Sequence, residues 1–173
     1  HIIPEEIRLD FLGLQSYFDE NGITHSFMTT QVGRQFALEM DCKSLRYLSV
    51  GGEKLVPCEP PKGYRVFNVY GPTETTILVT AFEVDKYYPN IPIGKALDNV
   101  KLYITDKSGH MLPYGACGEL MISGFQVSRG YLNKPEKTAE VYTKNIYDDT
   151  EGYEVLYHSG DIARYLPDGN VQI

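Results

Sequence analysis

The sequence predicts an α/β part followed by a β part: a partial parallel α/β sheet, then a distorted antiparallel β-barrel. Three observations carry this. In the first half, apolar residues recur at helical spacing, between short apolar runs that end in glycine. In the second half the pattern switches to apolar–polar alternation. Turn signals also become frequent there, among them Asp106-Lys107-Ser108-Gly109 and Pro167-Asp168-Gly169-Asn170. The switch falls within residues 85–92, so the expected division is an α/β subdomain over 1–85 and a barrel-like subdomain over 86–173.

Each element has its own signal. Asp10 caps a helix whose Phe11, Leu14 and Phe18 share one face, and Asn21-Gly22 stops it. Residues 23–28 form a short strand, and Val32, Phe36 and Met40 recur every four residues in a helix starting near Thr30. Residues 45–50 and 65–70 are apolar runs ending at Gly51-Gly52 and Gly71-Pro72. Strand, helix and strand in this order imply a parallel sheet with helices on its faces. Further on, Val100, Leu102 and Ile104 alternate with polar neighbours, as do Leu120 and Ile122. Residues 135–141 are the one helical candidate of that half, and the chain stops inside a strand at Ile173.

Composition bounds the function. With 42% hydrophobic and 23% charged residues over 173 positions, the chain is that of a globular protein, long enough to bury roughly 70% of its unfolded surface. A net charge of −7 argues against a nucleic-acid grip, yet leaves room for a phosphate-bearing small molecule held by backbone N–H groups and a metal. Cys42, Cys58 and Cys117 form no C-x-x-C pair, and the four histidines no metal spacing, so a reducing, cytoplasmic setting is expected without structural zinc. No run of about 18 apolar residues indicates a membrane span. The opening His1-Ile2-Ile3-Pro4 lacks an initiator Met and a signal peptide, and the chain reads as cut from something longer.

Three segments carry candidate chemistry. In Asn68-Val69-Tyr70-Gly71-Pro72-Thr73-Glu74-Thr75-Thr76 a strand ends in a turn that presents hydroxyls and a carboxylate. Ligands of α/β sheets sit at such strand ends. Thr73 can donate to phosphate oxygens, Tyr70 offers a flat face for a base, and Glu74 beside phosphates calls for a divalent cation between them. Gly51-Gly52-Glu53 succeeds a strand in the same way, and missing Cβ atoms admit a planar ligand. In Ser159-Gly160-Asp161 a fixed carboxylate can take both hydroxyls of a ribose. Taken singly, each also reads as an ordinary turn, with Thr, Glu or Asp capping the next segment of chain.

Order and spacing together say more. The chain resembles the adenylation domains of nonribosomal peptide synthetases, within the superfamily of adenylate-forming enzymes, over nearly its whole length. Residues 68–76 are similar to that family's adenine-and-magnesium motif. Gly118-Glu119-Leu120-Met121-Ile122-Ser123-Gly124, with Arg129-Gly130-Tyr131-Leu132-Asn133, resembles its next core motif. Tyr157-His158-Ser159-Gly160-Asp161 resembles the ribose motif, with His158 and Ser159 in place of the commoner Arg and Thr. The resemblance implies ATP and Mg²⁺ as cofactors. It implies ATP or AMP contacts from Gly51, Gly52, Glu53, Asn68, Tyr70, Gly71, Thr73 and Asp161, and metal ligation by Glu74. The implied reaction joins an amino-acid carboxylate to AMP with release of pyrophosphate, then passes the acyl group to the phosphopantetheine thiol of a carrier protein. Neither nucleic acid nor membrane is an implied partner.

The resemblance also implies a side-chain pocket from Phe27, Leu48, Val50, Val69, Ile77 and Leu78. All six are apolar, so an apolar amino acid is expected; by strand position alone they read as core. The family's upstream phosphate loop, its hinge residue, its catalytic Lys and the Asp for the substrate amino group do not occur in these residues, so the chain by itself is expected to be inactive. Two alternatives stay open: an acyl-CoA or aryl-acid ligase of the same superfamily, and a non-catalytic nucleotide-binding or interaction module.

Overall fold

The structure, a computed structural model, describes all 173 residues. They divide into two compact units, His1–Val69 with Phe82–Ile91, and Tyr70–Ala81 with Pro92–Ile173. No helix is long and apolar enough to cross a membrane.

The first unit begins with α1 (Phe11–Glu20), which buries Leu14 and Phe18 one helical turn apart. Its end is tied twice to Tyr17 O, by the backbone N–H and the side-chain amide of Asn21, and Gly22 then takes φ 61°. The Ile23 N–H still bonds to Phe18 O at 2.9 Å, so the chain joins the sheet two residues later than its apolar pattern suggests. There β1 (His25–Thr29) runs parallel to β2 (Tyr47–Gly51), which runs parallel to β3 (Arg65–Tyr70). Between β1 and β2 comes α2 (Thr30–Glu39).

Helix α2 approaches the sheet at Gly33, where a Cβ would lie 2.3 Å from Val50 Cγ1. The core gathers Leu14, Phe18, Phe36, Leu48, Val50 and Val66. Phe36 packs edge-on against Phe11 at 5.6 Å and tilted against Phe18 at 5.9 Å. Each such buried side chain contributes about 1.5–3 kcal/mol. The register puts Tyr47 and Arg65 on the opposite face from Leu48 and Val50. On that face His25 stacks on Tyr47, and the Arg65 guanidinium lies 5.4 and 5.1 Å over the Tyr47 and Phe67 rings.

One five-stranded sheet has the order β1-β2-β3-β4-β5, with β4 (Thr80–Glu83) antiparallel to β5 (Lys95–Ala96). A separate antiparallel sheet belongs to the second unit. Its order is β10-β9-β7-β6, from β6 (Val100–Thr105), β7 (Gly118–Gly124), β9 (Val155–Tyr165) and β10 (Val171–Gln172), and β8 (Tyr142–Lys144) also pairs with β9. The predicted class holds, α/β and then antiparallel β; the first sheet is mixed where a parallel one is expected, because β4 and β5 extend it as an antiparallel pair.

Leu102 faces Ile122 and Ile104 faces Leu120, and these four fill the second core with Val79, Tyr157, Ala163 and Val171. Alternation fails on β7, where Met121 and Ser123 are buried too. The reason is cover on its other face. Ser123 Oγ donates to the carbonyls of Tyr153 and Val155, and the buried Asn145 amide donates to Ser123 Oγ. Pro135, with φ preset for a first helical turn, opens α3 (Pro135–Val141) at the predicted residues. Both predicted Asp turns form, with Asp106 Oδ1 and Asp168 Oδ1 accepting backbone N–H groups two residues on.

Candidate functional site

In the second unit, Tyr70 ends β3 and the chain turns at Gly71-Pro72 into a single 3-10 turn, Thr73–Thr75. Gly71 is required by space: a Cβ there would lie 2.1 Å from Ile77 O and 2.9 Å from Leu78 Cα. Buried Thr75 closes the turn, its hydroxyl donating to Pro72 O at 3.0 Å. Thr76 and Ile77 then take φ 56° and 75°, two successive left-handed residues with side chains. Such backbone is strained and persists only where the surroundings over-determine it. Here Thr76 Oγ1 donates to Gln126 O at 2.7 Å, and Glu74 O accepts the Ser128 N–H at 2.8 Å.

The carboxylate of Asp161 comes from a bulge. Glu119 pairs with Ile162 and Met121 with His158, so Ser159, Gly160 and Asp161 together oppose Leu120 alone. The sequence suggests two strands separated by a Ser-Gly-Asp turn; the structure makes them one strand, β9, interrupted by this bulge. Bulges of this kind re-aim side chains beside functional sites. Gly160 supplies φ 75°, Ser159 Oγ donates to Leu120 O at 2.5 Å, and the Asp161 N–H bonds back to Ser159 Oγ at 3.1 Å. Asp161 Oδ2 then accepts the Tyr70 hydroxyl at 2.6 Å, joining two segments 91 positions apart. Burial, and after it the bond to Asp161, push the Tyr70 phenol well above its ordinary range. Tyr70 is thereby held as a neutral, fixed ring with its hydroxyl committed.

A second pairing, also 2.6 Å long, links the Tyr131 hydroxyl to Glu74 Oε1 across 57 positions. The hydrogen bond to Glu74 is the first cause that pushes the Tyr131 phenol up to about 12. Tyr157 stands close by: its phenol is pushed up by burial and then by the Glu74 charge. The Tyr131 ring meets Tyr142 edge-on at 5.8 Å, and the Tyr142 and Ser128 hydroxyls bond at 2.8 Å. No group of three or more His, Cys, Asp or Glu side chains gathers as a metal site. One carboxylate is nonetheless a donor set that Mg²⁺ accepts when phosphates and water complete its shell. Glu74 fits that pattern.

The remaining candidates lie in the first unit or along β3. Gly51 is buried, and a Cβ there would lie 2.7 Å from Val69 O and 3.6 Å from the Phe27 ring. Phe27, Gly51 and Val69 therefore converge on one face of the sheet. Gly52 has φ 107° with open space beside it, and exposed Glu53 is anchored by its backbone alone: buried Thr30 Oγ1 both accepts its N–H and donates to its carbonyl. Asn68 is buried opposite Val50 in the register.

Of the four pocket positions in the first unit, two lie on each face of the sheet. Leu48 and Val50 have no exposed area and lie in the core beneath α2, on the other face of the sheet from half-exposed Phe27. Strand alternation by itself sends positions 48 and 50 away from Val69. Ile77 is exposed in the second unit, with Leu78 beside it partly covered. Sequence reasoning gives neither Tyr131 nor Ser128 a role of its own, and nothing local to residues 128–131 indicates that they meet Glu74. Ser159 stands where Thr is commoner, and the sequence attaches no consequence to the exchange; in the structure its hydroxyl ties the bulge to β7.

Known proteins resemble this chain over nearly its whole length. The family model described as AMP-binding enzyme matches residues 1–132. Bacitracin synthase 1 of Bacillus licheniformis is 46% identical over 99% of this chain and 3% of its own length. Surfactin synthase subunit 2 of Bacillus subtilis (strain 168) is 37% identical over 98% of the chain and 5% of its own. The chain thus spans a few per cent of the curated relatives it matches. Among solved structures, PA1221, an NRPS protein containing adenylation and PCP domains, superposes with a TM-score of 0.82 at 26% identity, over 94% of this chain and 35% of that one. The Klebsiella oxytoca NpsA N-terminal subdomain shares the fold at a TM-score of 0.82 and 22% identity, over 99% and 43%. With its paired motifs in place and more than half its length matched, the chain belongs to the AMP-binding enzyme family.

Proposed function

We propose that this chain is the nucleotide-holding part of an amino-acid-activating adenylation domain of a nonribosomal peptide synthetase. The observation that carries the reading is the Tyr70–Asp161 hydrogen bond, which joins the two segments proposed to hold base and ribose. In this reading Tyr70 presents a fixed ring to adenine, Asp161 accepts the ribose hydroxyls, and Thr73 donates to phosphate oxygens. Gly51, Gly52, Glu53, Asn68 and Gly71 shape the backbone around the nucleotide. The two parts proposed from sequence, 1–85 and 86–173, differ from the compact units in that Tyr70–Ala81 belongs with the second and residues 86–91 with the first.

The proposed reaction is a displacement. An oxygen of the amino-acid carboxylate bonds to the α-phosphorus of ATP, the bond to the bridging oxygen breaks, and pyrophosphate leaves with the electron pair. A carrier-protein thiolate then attacks the acyl carbon, and AMP leaves. Magnesium, when bound at Glu74, supplies positive charge to the phosphates. Holding the nucleotide still is the contribution of this chain's own residues, and positioning of this kind lowers a barrier by removing motional freedom beforehand. We place the complete protein in the cytoplasm, in line with its unpaired cysteines.

The proposed amino acid is apolar. Phe27, Val69, Ile77 and Leu78 offer no charge or hydrogen bond to a substrate side chain, and a polar one would lose its water without a partner. Leu48 and Val50 act only if α2 is displaced from them. Pyrophosphate exchange by the complete domain, run against all proteinogenic amino acids and a set of aryl acids, tests the reading. Preference for Leu, Ile, Val or Phe supports it. Preference for Asp, Lys or Arg refutes the apolar pocket, and exchange with aryl acids alone moves the protein to the aryl-acid ligases.

A further inference from the structure

We propose that Tyr131 is a positioning residue for Glu74, one that fixes the carboxylate in the orientation in which it takes the nucleotide's divalent cation. This rests on the reading of Glu74 as a metal ligand. A glutamate side chain has three rotatable bonds, and ordering it costs up to about 2 kcal/mol. Glu74 lies in a turn of only three residues, and no capping bond from the preceding Pro72 holds it. Its order is imposed from outside. The segment from Gln126 to Tyr131 grips the turn at three points: Gln126 O on the Thr76 hydroxyl, the Ser128 N–H on Glu74 O, and the Tyr131 hydroxyl on Glu74 Oε1.

Tyr131 is itself well anchored. Its N–H donates to Thr138 Oγ1 at 2.9 Å, which in turn donates to Lys134 O, so the start of α3 fixes its backbone. Its ring rests on the edge of Tyr142. Backbone, ring and hydroxyl are thus all constrained, and the one polar group the ring carries is spent on Glu74. A hydroxyl donating to one carboxylate oxygen restricts the rotation of the group; the Tyr157 hydroxyl also faces Glu74, and a cation would take the lone pairs that these phenols leave. Neutral donors behind ligating carboxylates act in this way, and removing one typically weakens metal affinity or activity 10–100-fold.

The test is Mn²⁺ binding in the presence of ATP, followed by electron paramagnetic resonance, on the complete adenylation domain that carries this chain. Tyr131→Phe keeps the ring and removes the hydroxyl. The expected result is a Mn²⁺ affinity weakened at least several-fold, with metal-free AMP affinity and melting midpoint unchanged. Tyr147→Phe removes a hydroxyl that bonds Gly109 O and should leave the titration as it was. In a Glu74→Gln background, Tyr131→Phe should add nothing. If Tyr131→Phe binds Mn²⁺ like the parent while Glu74→Gln does not, the positioning role is wrong and the ligand role stands. If Glu74→Gln also binds like the parent, the ligand role falls and the positioning role with it.

Discussion

Two glycines of the site illustrate different physical demands at the residue scale. At Gly71 the demand is space, because a Cβ would sit 2.1 Å from a backbone oxygen that cannot swing away. At Gly160 the demand is torsional, because nothing lies within 4 Å of a Cβ but φ is 75°. Gly160→Ala should therefore cost about 1–2 kcal/mol, the usual penalty of a left-handed residue with a side chain. Gly71→Ala should cost more, about 3 kcal/mol, because the 77–78 backbone must move. Denaturant titration of both variants checks the order; equal losses would show that the turn relaxes freely. The residue type was legible in the sequence at both places, since Gly-Pro and Ser-Gly-Asp announce turns. The difference was not, because it depends on what the far chain places next to each glycine.

At the scale of elements, α2 and β2 show how local preference yields to packing. Gly33 is in mid-helix, where Ala would be favoured by about 1 kcal/mol on propensity alone. Yet a Cβ there would lie 2.3 Å from Val50 Cγ1 and 3.1 Å from Met28 Cβ. Both neighbours are buried, and Val50 is β-branched with little rotamer freedom. Gly33→Ala is expected to destabilise by about 1–3 kcal/mol despite the propensity gain, read from the shift in denaturation midpoint. Val50→Phe meets the same contact and is expected to lower stability before it reports on substrate size. The existence and type of these elements came through from periodicity alone: α1, α2, β3 and α3 fall where apolar spacing and Gly or Pro signals put them. The course of β9 did not, since a Gly in a strand reads as a turn until its partner strand is known.

Over the whole molecule, tyrosine protonation sets how the fold responds to base. Tyr64, Tyr70, Tyr131, Tyr147, Tyr157 and Tyr165 are all held above the ordinary phenol value of 10.0, each by burial or a bonded carboxylate, Tyr131 at about 12. The unfolded chain releases these protons first, so above pH 10 it binds fewer protons than the folded one. Stability from these groups is complete below pH 10 and falls as pH rises through the folded values. Tyrosinate absorbance should accordingly rise in two stages, the later one coinciding with loss of secondary structure. A single rise centred near pH 10, with the fold intact, would contradict this. None of it was readable from the 14 tyrosines as such. The sequence marks Tyr70, Glu74 and Asp161 as chemically apt, but the bonds of Tyr70 to Asp161 and of Tyr131 to Glu74 span 91 and 57 positions and are set only by the fold.

The bulge in β9 also governs which changes of length this region tolerates. Three residues there oppose one, an excess of two, so odd-numbered positions Tyr157 and Ala163 both stay on the core side. Losing a single residue between 159 and 161 would leave two residues opposite Leu120, a one-residue bulge that sheets accommodate with the flanking pairs unchanged. Losing two would restore a regular strand, with Ile162 and Ala163 still opposite Glu119 and Gly118. Either step keeps the flanking register and removes the three-residue lift that aims Asp161, so the length of this motif is set by the site and not by the sheet.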